Sequence, residues 1–304
     1  MQTPAENTVT VKIESLGTES LWKRSTYNFF KFCKQKPLGA FGILMIVVLC
    51  LSAILAPWIS PYDPKIPYAD WVWMGPSSQH WFGNDQIGRD VLSRILWGGR
   101  VSLFVGLTSV AFGVTVGSML GVVSAFVGGK LDLVVQRVVD ALLAFPAIIL
   151  ALALLAGLGQ SVQNVILALI IIFIPGATRT VRSQALAIKE MDYVLAARAI
   201  GASQLRIIAL YMAPNCFAIF LVLFTITVGF AIVVESSLSF LGLGVPPDVP
   251  TWGKMLADAG RTDIQSTPWQ SIFPGAAISL TVFAVNFLGD ALRDVLDPRL
   301  RGTR

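Results

Sequence analysis

The chain has 304 residues, of which 55% are hydrophobic and only 13% are charged. This composition excludes an ordinary soluble domain, in which about a quarter of the residues are charged, and it indicates a protein that crosses a membrane several times. The net charge of +5 does not indicate nucleic acid as a partner, because the basic residues are not gathered in one patch. Cys33, Cys50, Cys216 and the single histidine, His80, lack metal-binding spacing, so we predict unpaired cysteines and no metal or cofactor.

Taken in chain order, six apolar stretches are long enough, at about 20 residues, to cross a bilayer as helices. The predicted fold class is therefore an all-α membrane protein. We predict a tail with an interfacial helix at 1–37, loops at 59–100, 179–214 and 241–271, and a second tail at 293–304. The predicted spans are 38–58, 101–127, 134–158, 162–178, 216–240 and 272–292.

The third span is the least regular, because Arg137 and Asp140 fall inside it. A charged side chain in a span is costly, so these two residues must lie near an interface or form pairs. Gly128 and Gly129 precede this span and predict a turn.

The distribution of Lys and Arg predicts which side each loop faces. Seventeen of them lie in the two tails, the connection at 130–137 and the 179–214 loop, and six lie in the other two loops. Cytoplasmic loops carry the excess of positive charge in membrane proteins. We therefore expect both termini and the 179–214 loop in the cytoplasm.

The stretch 191–215, MDYVLAARAIGASQLRIIALYMAPN, is too charged to cross a bilayer. We predict two short helices joined by a bend at Gly201, with Ser203 as the N-cap of the second. Pro214 cannot continue a helix, so we expect the chain to change direction there. The pattern alone favours an ordinary amphipathic loop; the other interpretation is a surface on which small alanines admit a partner.

Two further stretches contain charges in unusual places. The first, at 81–94, has glycines for tight turns and charges that can pair with each other; its key residues are Gly83, Asp85, Gly88, Arg89, Asp90 and Arg94. For this stretch we favour an ion-pair network that folds the loop. In the second, Glu235 lies near the end of a span with Ser236 and Ser239. Glu235 either lines a translocation path or reaches water at the end of the span, and these alternatives stay open.

No G-x-x-x-x-G-K-[ST] loop is present, and no nucleophile, base and acid are arranged for catalysis. We therefore predict that the chain is not an enzyme and that any energy source lies on another chain.

Four stretches resemble one family. Ala196-Ala197-x-x-x-Gly201, followed by Leu210-x-x-x-Pro214, resembles the EAA loop of permease subunits of binding-protein-dependent ABC importers, although Leu195 stands where the family often has Glu. The other three resemble the peptide/nickel branch of that family: 81–94 (FGTDxxGRDxxSR), 235–244 (SLSFLGLG) and 286–299 (NxxGDxLRDxLDP).

This resemblance implies a type I ABC importer fold with a cytoplasmic coupling helix that docks on an ATPase subunit. The residues it implicates in coupling are Ala196, Ala197, Gly201, Ala202, Arg206 and Pro214. It implies these partners: a second homologous permease, two ATP-binding subunits, an external solute-binding protein that can touch the 81–94 loop, and membrane lipid. The implied cargo is peptide, glutathione or nickel, carried across the bacterial inner membrane. The alternative from another class is a secondary transporter or channel that works alone.

Overall fold

The computed structural model describes residues 33–246, 248–260 and 266–296. The chain divides into two units, Met1–Pro37 and Leu38–Arg304, and the description below concerns the second. The described residues form helices and no strand apart from a single bridge between Asn84 and Asp90, so the predicted fold class is confirmed. The helices are α1 Pro37–Ile59, α2 Val91–Val127, α3 Gly129–Leu143, α4 Ala147–Leu158, α5 Val162–Lys189, α6 Asp192–Ala199, α7 Gln204–Ile207, α8 Ala213–Phe240, α9 Trp252–Ala259 and α10 Trp269–Leu296.

Five of the six predicted spans lie within single long apolar helices, namely α1, α2, α5, the continuous helix Gln204–Phe240, and α10. The third predicted span, 134–158, is not one straight helix, and the pair α3 and α4 forms either a broken span or a re-entrant loop. That stretch is split between α3 and α4, which meet at an angle of 90°. Pro146 causes the break, since it lacks the N–H that would continue the helix and it stands at the N-cap of α4.

The helices extend beyond the predicted spans. Residue Val91, not 101, begins α2, and α5 continues past 178 to Lys189. The predicted change of direction at Pro214 is also wrong, because Gln204–Phe240 is continuous. A π-helical turn, Ile208–Met212, precedes α8 and places Pro214 in the first turn of α8, where a proline is tolerated. The segment between the two long helices is therefore shorter than the predicted 179–214 loop.

Among the described helices, α2 and α5 share the most extensive contact. Along α2, Gly113, Gly117 and Gly121 recur every four residues and so share one face. A Cβ at Gly117 would lie 2.6 Å from the carbonyl oxygen of Ile174, and one at Gly121 would lie 2.7 Å from that of Thr178. The two backbones therefore touch through glycine, which is the small-residue packing that membrane helices use.

At 37 residues, α2 is about 55 Å long. We call its Val91 end the loop end, because residues 60–90 and α9 pack there. We call its Val127 end the connector end, because residues 190–212, hereafter the connecting segment, pack there. The Gly128–Gly129 turn was correctly predicted, since both glycines have positive φ, at 67° and 58°.

Candidate functional site

The connecting segment contains the structure predicted from its sequence. Helix α6 ends at Ala199, Gly201 makes the bend with φ of 80°, and α7 begins at Gln204. The Ser203 hydroxyl accepts a hydrogen bond from the Arg206 N–H at 3.4 Å and caps α7. Nothing lies within 4 Å of the position that a Gly201 Cβ would occupy, so the glycine is required by its backbone conformation and not by crowding.

One face of the connecting segment is fixed to the ends of α2 and α5. Val194, Ala197, Ile207 and Met212 are buried in a cluster with Val122, Phe126, Val181 and Ile188. In addition, the Arg198 guanidinium lies 5.0 Å from the centre of the Phe126 ring. Directly before the segment, the Lys189 ammonium of α5 donates to the Ala125 carbonyl of α2 at 3.0 Å. The segment is therefore packed against the ends of both long helices.

The other face of the connecting segment exposes three large apolar side chains among polar ones. Ile200 is 82% exposed, Leu205 is 78% exposed and Leu195 is 43% exposed. Exposed apolar patches on a cytosolic or periplasmic surface mark contact sites, because water disfavours them. Leu195 and Ile200 precede the continuous helix Gln204–Phe240, and Leu205 lies in its first turn.

The six residues expected to couple the chain to an ATPase are not all on this exposed face. Ala196, Gly201, Arg206 and Pro214 are exposed and Ala202 is half-buried, but Ala197 is buried at 3% exposure. Ala197 therefore contacts the core of the chain and cannot present its side chain to a partner. The helical period explains the difference, since adjacent residues on α6 point about 100° apart.

A charge cluster lies at the loop end. The Asp85 carboxylate accepts from the Ile87 and Arg89 backbone N–H groups at 3.0 and 2.9 Å, from Arg89 Nε at 2.7 Å, and from the Arg94 guanidinium. Asp258 of α9 lies 3.8 Å from Arg89 and 3.7 Å from Arg94. The predicted ion-pair network is present, and α9 supplies a second carboxylate that the sequence analysis missed.

Asp90 does not join this network, contrary to the prediction that the charges of 81–94 pair among themselves. Its Oδ2 accepts from the Ser93 N–H at 2.8 Å and caps α2, and its Oδ1 lies 2.9 Å from His80 Nδ1. Gly83 and Gly88 have φ of 71° and 83°, and a Cβ at Gly88 would overlap the Tyr68 carbonyl. These residues shape the loop.

Glu235 is fully buried, so the alternative in which it reaches water is wrong. Its carboxyl group accepts from the Ser102 hydroxyl of α2 at 3.2 Å and from the Ser239 hydroxyl at 2.9 Å. Ser236 is also buried, and its backbone lies against Gly253 of α9. The three residues proposed for a translocation path therefore lie together in a protein-filled site.

Two ion pairs tie α3 to α5. Arg182 donates two bonds to Asp132, at 2.7 and 2.6 Å, and Arg179 pairs with Asp140. Pairing was one of the two alternatives predicted for Asp140, whereas the role of Asp132 was missed. Among the described residues no group of three or more His, Cys, Asp or Glu side chains could hold a metal ion.

Comparison with known proteins agrees with this geometry. Residues 113–302 match the family described as binding-protein-dependent transport system inner membrane component, and residues 20–77 match the N-terminal TM domain of oligopeptide transport permease C. The chain is 43% identical over 260 residues to a putative peptide transport system permease protein of Brucella suis, covering 86% of this chain and 87% of the relative. It is 41% identical over 278 residues to a glutathione transport system permease protein of Escherichia coli, covering 91% of each chain. The chain therefore belongs to the family of binding-protein-dependent transport system inner membrane components, the permease subunits of ABC importers.

Proposed function

We propose that this permease subunit imports peptides, including glutathione-like ones, and that its connecting segment is the surface on which an ATPase subunit docks. The observation that carries the proposal is the two-sided character of that segment. One face is built into the ends of α2 and α5, and the other exposes Leu195, Ile200 and Leu205. A docking surface that transmits force needs both properties.

The complete transporter, in this proposal, contains a second homologous permease, two ATP-binding subunits and an external solute-binding protein. Both termini and the connecting segment face the cytoplasm of the bacterial cell, which the excess of Lys and Arg in those regions supports. The loop end then faces outward, where the binding protein delivers cargo. ATP hydrolysis takes place on the separate ATP-binding subunits.

The mechanism follows from how the connecting segment is attached. Closure of the ATPase pair on ATP moves the two docked segments together. Because Val194 and Ile207 are buried against α2 and α5, the movement passes to those helices as a rigid body. The bundle then rocks and changes which side of the membrane the path opens to.

Replacing Ile200 with serine tests the docking surface. Burial of an isoleucine side chain contributes about 1.5–3 kcal/mol, so its loss weakens association with the ATPase subunits by about tenfold to a hundredfold. The measurement is the affinity of purified ATPase subunits for the permease pair in nanodiscs. Ile66→Ser is the matched control, since Ile66 is also exposed, at 47%, but lies in the segment at the loop end.

If Ile200→Ser and Ile66→Ser bind the ATPase subunits equally well, the docking surface lies elsewhere. The cargo is tested separately, with the whole transporter in proteoliposomes and its own binding protein. Labelled dipeptide or glutathione should be taken up with ATP and Ni²⁺ should not. Uptake of Ni²⁺ alone would overturn the peptide assignment while leaving the docking assignment intact.

A further inference from the structure

The buried carboxyl group of Glu235 has a matched set of partners. It comes from α8 and accepts hydrogen bonds from Ser102 of α2 and from Ser239 one turn further along α8. A buried carboxyl group without such donors would be strongly destabilising. The hydroxyl groups therefore hold Glu235 in one orientation between α2 and α8.

The same hydroxyl groups lead to α9. Ser102 Oγ, which donates to Glu235, also accepts from the Trp252 backbone N–H at 3.4 Å. Thr251 lies within reach of the same carboxyl group, and its Oγ accepts from the Lys254 N–H at 3.2 Å and so caps α9. The Trp252 indole donates to the Ile95 carbonyl at 3.0 Å. The first turn of α9 is thus bonded, through Ser102, to Glu235.

Close backbone packing also holds the first turn of α9 in its position against α2 and α8, which we call the seat of α9. A Cβ at Gly99 would lie 3.0 Å from the Trp252 ring, and a Cβ at Gly253 would overlap the backbone of Ser236. The Gly253 contact requires glycine, whereas a Cβ at Gly99 would require the Trp252 ring to move slightly. A shift of α9 by one residue would replace Gly253 with a larger side chain at the contact. The directional hydrogen bond that Ser102 Oγ accepts from the Trp252 N–H adds a second constraint on the register of α9.

The seat of α9 determines the geometry of the charge cluster. Lys254 and Asp258 are one turn apart on α9 and are paired at 2.6 Å. Asp258 also faces Arg89 and Arg94, and Arg94 is only 2% exposed. If α9 moves, two arginines of the loop lose their second carboxylate.

We propose that Glu235 is a positioning residue that seats α9 against α2 and thereby shapes the loop end, and that it does not contact cargo. The seating is a property of this chain alone. Its consequence for transport rests on the proposed function, because the loop end is then the side at which cargo enters.

The test uses the assembled transporter in nanodiscs with a reporter cysteine, Ala257→Cys, on the buried side of α9. Ala257 is 5% exposed, so a maleimide reacts slowly while α9 is seated. The rate of labelling at this residue is read by mass spectrometry, which separates it from the native cysteines. Glu235→Ala, Glu235→Gln and Ser102→Ala are compared in this background.

Loss of a hydrogen bond to a buried carboxyl group should raise the labelling rate by about tenfold or more in Glu235→Ala and Ser102→Ala. Glutamine keeps an oxygen acceptor of the same reach, so Glu235→Gln should stay within about twofold of the parent and keep its affinity for cargo. Ser237→Ala is the matched control, since the Ser237 hydroxyl bonds only within its own helix, to Val233 at 2.8 Å.

The proposal is overturned if Glu235→Ala leaves the labelling rate unchanged, or if Glu235→Gln shifts cargo affinity without a change in labelling. The second result would make Glu235 a cargo contact. If Glu235→Ala does not assemble, Ser102→Ala decides, and unchanged labelling there also overturns the proposal. The labelling assay needs no cargo, so failure of the peptide assignment would leave its result standing.

Discussion

Because α2 and α5 pack through glycine, we predict that a side chain at Gly117 destabilises the protein. In Gly117→Ala the new Cβ would lie 2.6 Å from the Ile174 carbonyl oxygen and 2.8 Å from the Ala177 Cβ. Comfortable contacts of this kind are about 3.5 Å or longer, so α2 and α5 must separate by about 1 Å. The obstructing atoms belong to backbone and to a Cβ, which cannot rotate away.

The expected cost follows from two effects of that separation. Overpacking in a tight interior costs about 1–3 kcal/mol. A gap of about 1 Å also forfeits up to half of the dispersion energy of each neighbouring contact along the interface. For a chain of this length we expect the apparent unfolding temperature in detergent to fall by about 2–10 °C.

The control for this experiment is Gly176→Ala. Gly176 lies on α5, next to Ala177, but a Cβ there would have nothing within 4 Å. Since alanine favours a helix over glycine by about 1 kcal/mol, this variant should match or exceed the parent in stability. The two substitutions are chemically identical and should differ in sign. If Gly117→Ala is as stable as Gly176→Ala, the close approach of α2 and α5 is wrong.

Two further predictions concern the connector end. Gly201→Val should reduce the coupling of ATP hydrolysis to uptake, because valine resists a φ of 80°. Gly201→Asn should retain this coupling, since asparagine tolerates positive φ. Equal ratios of uptake to ATP hydrolysis for the two variants in proteoliposomes would contradict the prediction. Arg182→Ala should lower the unfolding temperature by about 2 °C or more, because Asp132 loses a two-bond partner that is only partly exposed to water. The double variant Arg182→Asp with Asp132→Arg should recover part of the lost unfolding temperature. If it recovers none, the two residues stabilise the chain through contacts other than their ion pair.

Local features of the connector end were predictable from the sequence, because they depend on neighbours in the chain. The bend at Gly201 and the cap at Ser203 each involve residues within three positions. The break at Pro146 was equally visible, since a proline inside an apolar run interrupts the backbone hydrogen bonds. The predicted single span over 134–158 ignored that signal in favour of length and hydropathy.

The ends of the long helices were not predictable in this way. The predicted span ended at 178, directly before Arg179 and ahead of Arg182, yet α5 continues to Lys189. Their charges are compensated by Asp140 and Asp132 of α3, which lie about 40 to 50 positions away in the chain. A charged residue is tolerated inside a membrane helix when an opposite charge pairs with it. Here the pairing residues lie on another helix, so the sequence near Arg179 does not reveal them.

The environment of Glu235 was also not predictable from neighbouring residues in the sequence. Its position in an apolar helix indicated a functional residue, but whether it meets cargo, water or protein depends on Ser102, which is 133 positions away. The spacing of Gly113, Gly117 and Gly121 was visible in the sequence, and it could have predicted which face of α2 is packed against a neighbour.

The structure leaves few places where movement of the connecting segment could be absorbed. Helix α2 begins at the charge cluster, where Arg94 meets Asp85, and runs without a break to Phe126 beneath Arg198. The helix Gln204–Phe240 likewise begins in the connecting segment and ends at the seat of α9. Two continuous helices therefore join the connecting segment to the loop end, and α5 is held to α2 through glycine contacts. In the proposed mechanism, a force applied at Ile200 passes the Gly201 bend and the π-helical turn Ile208–Met212 and then reaches the loop end through these helices.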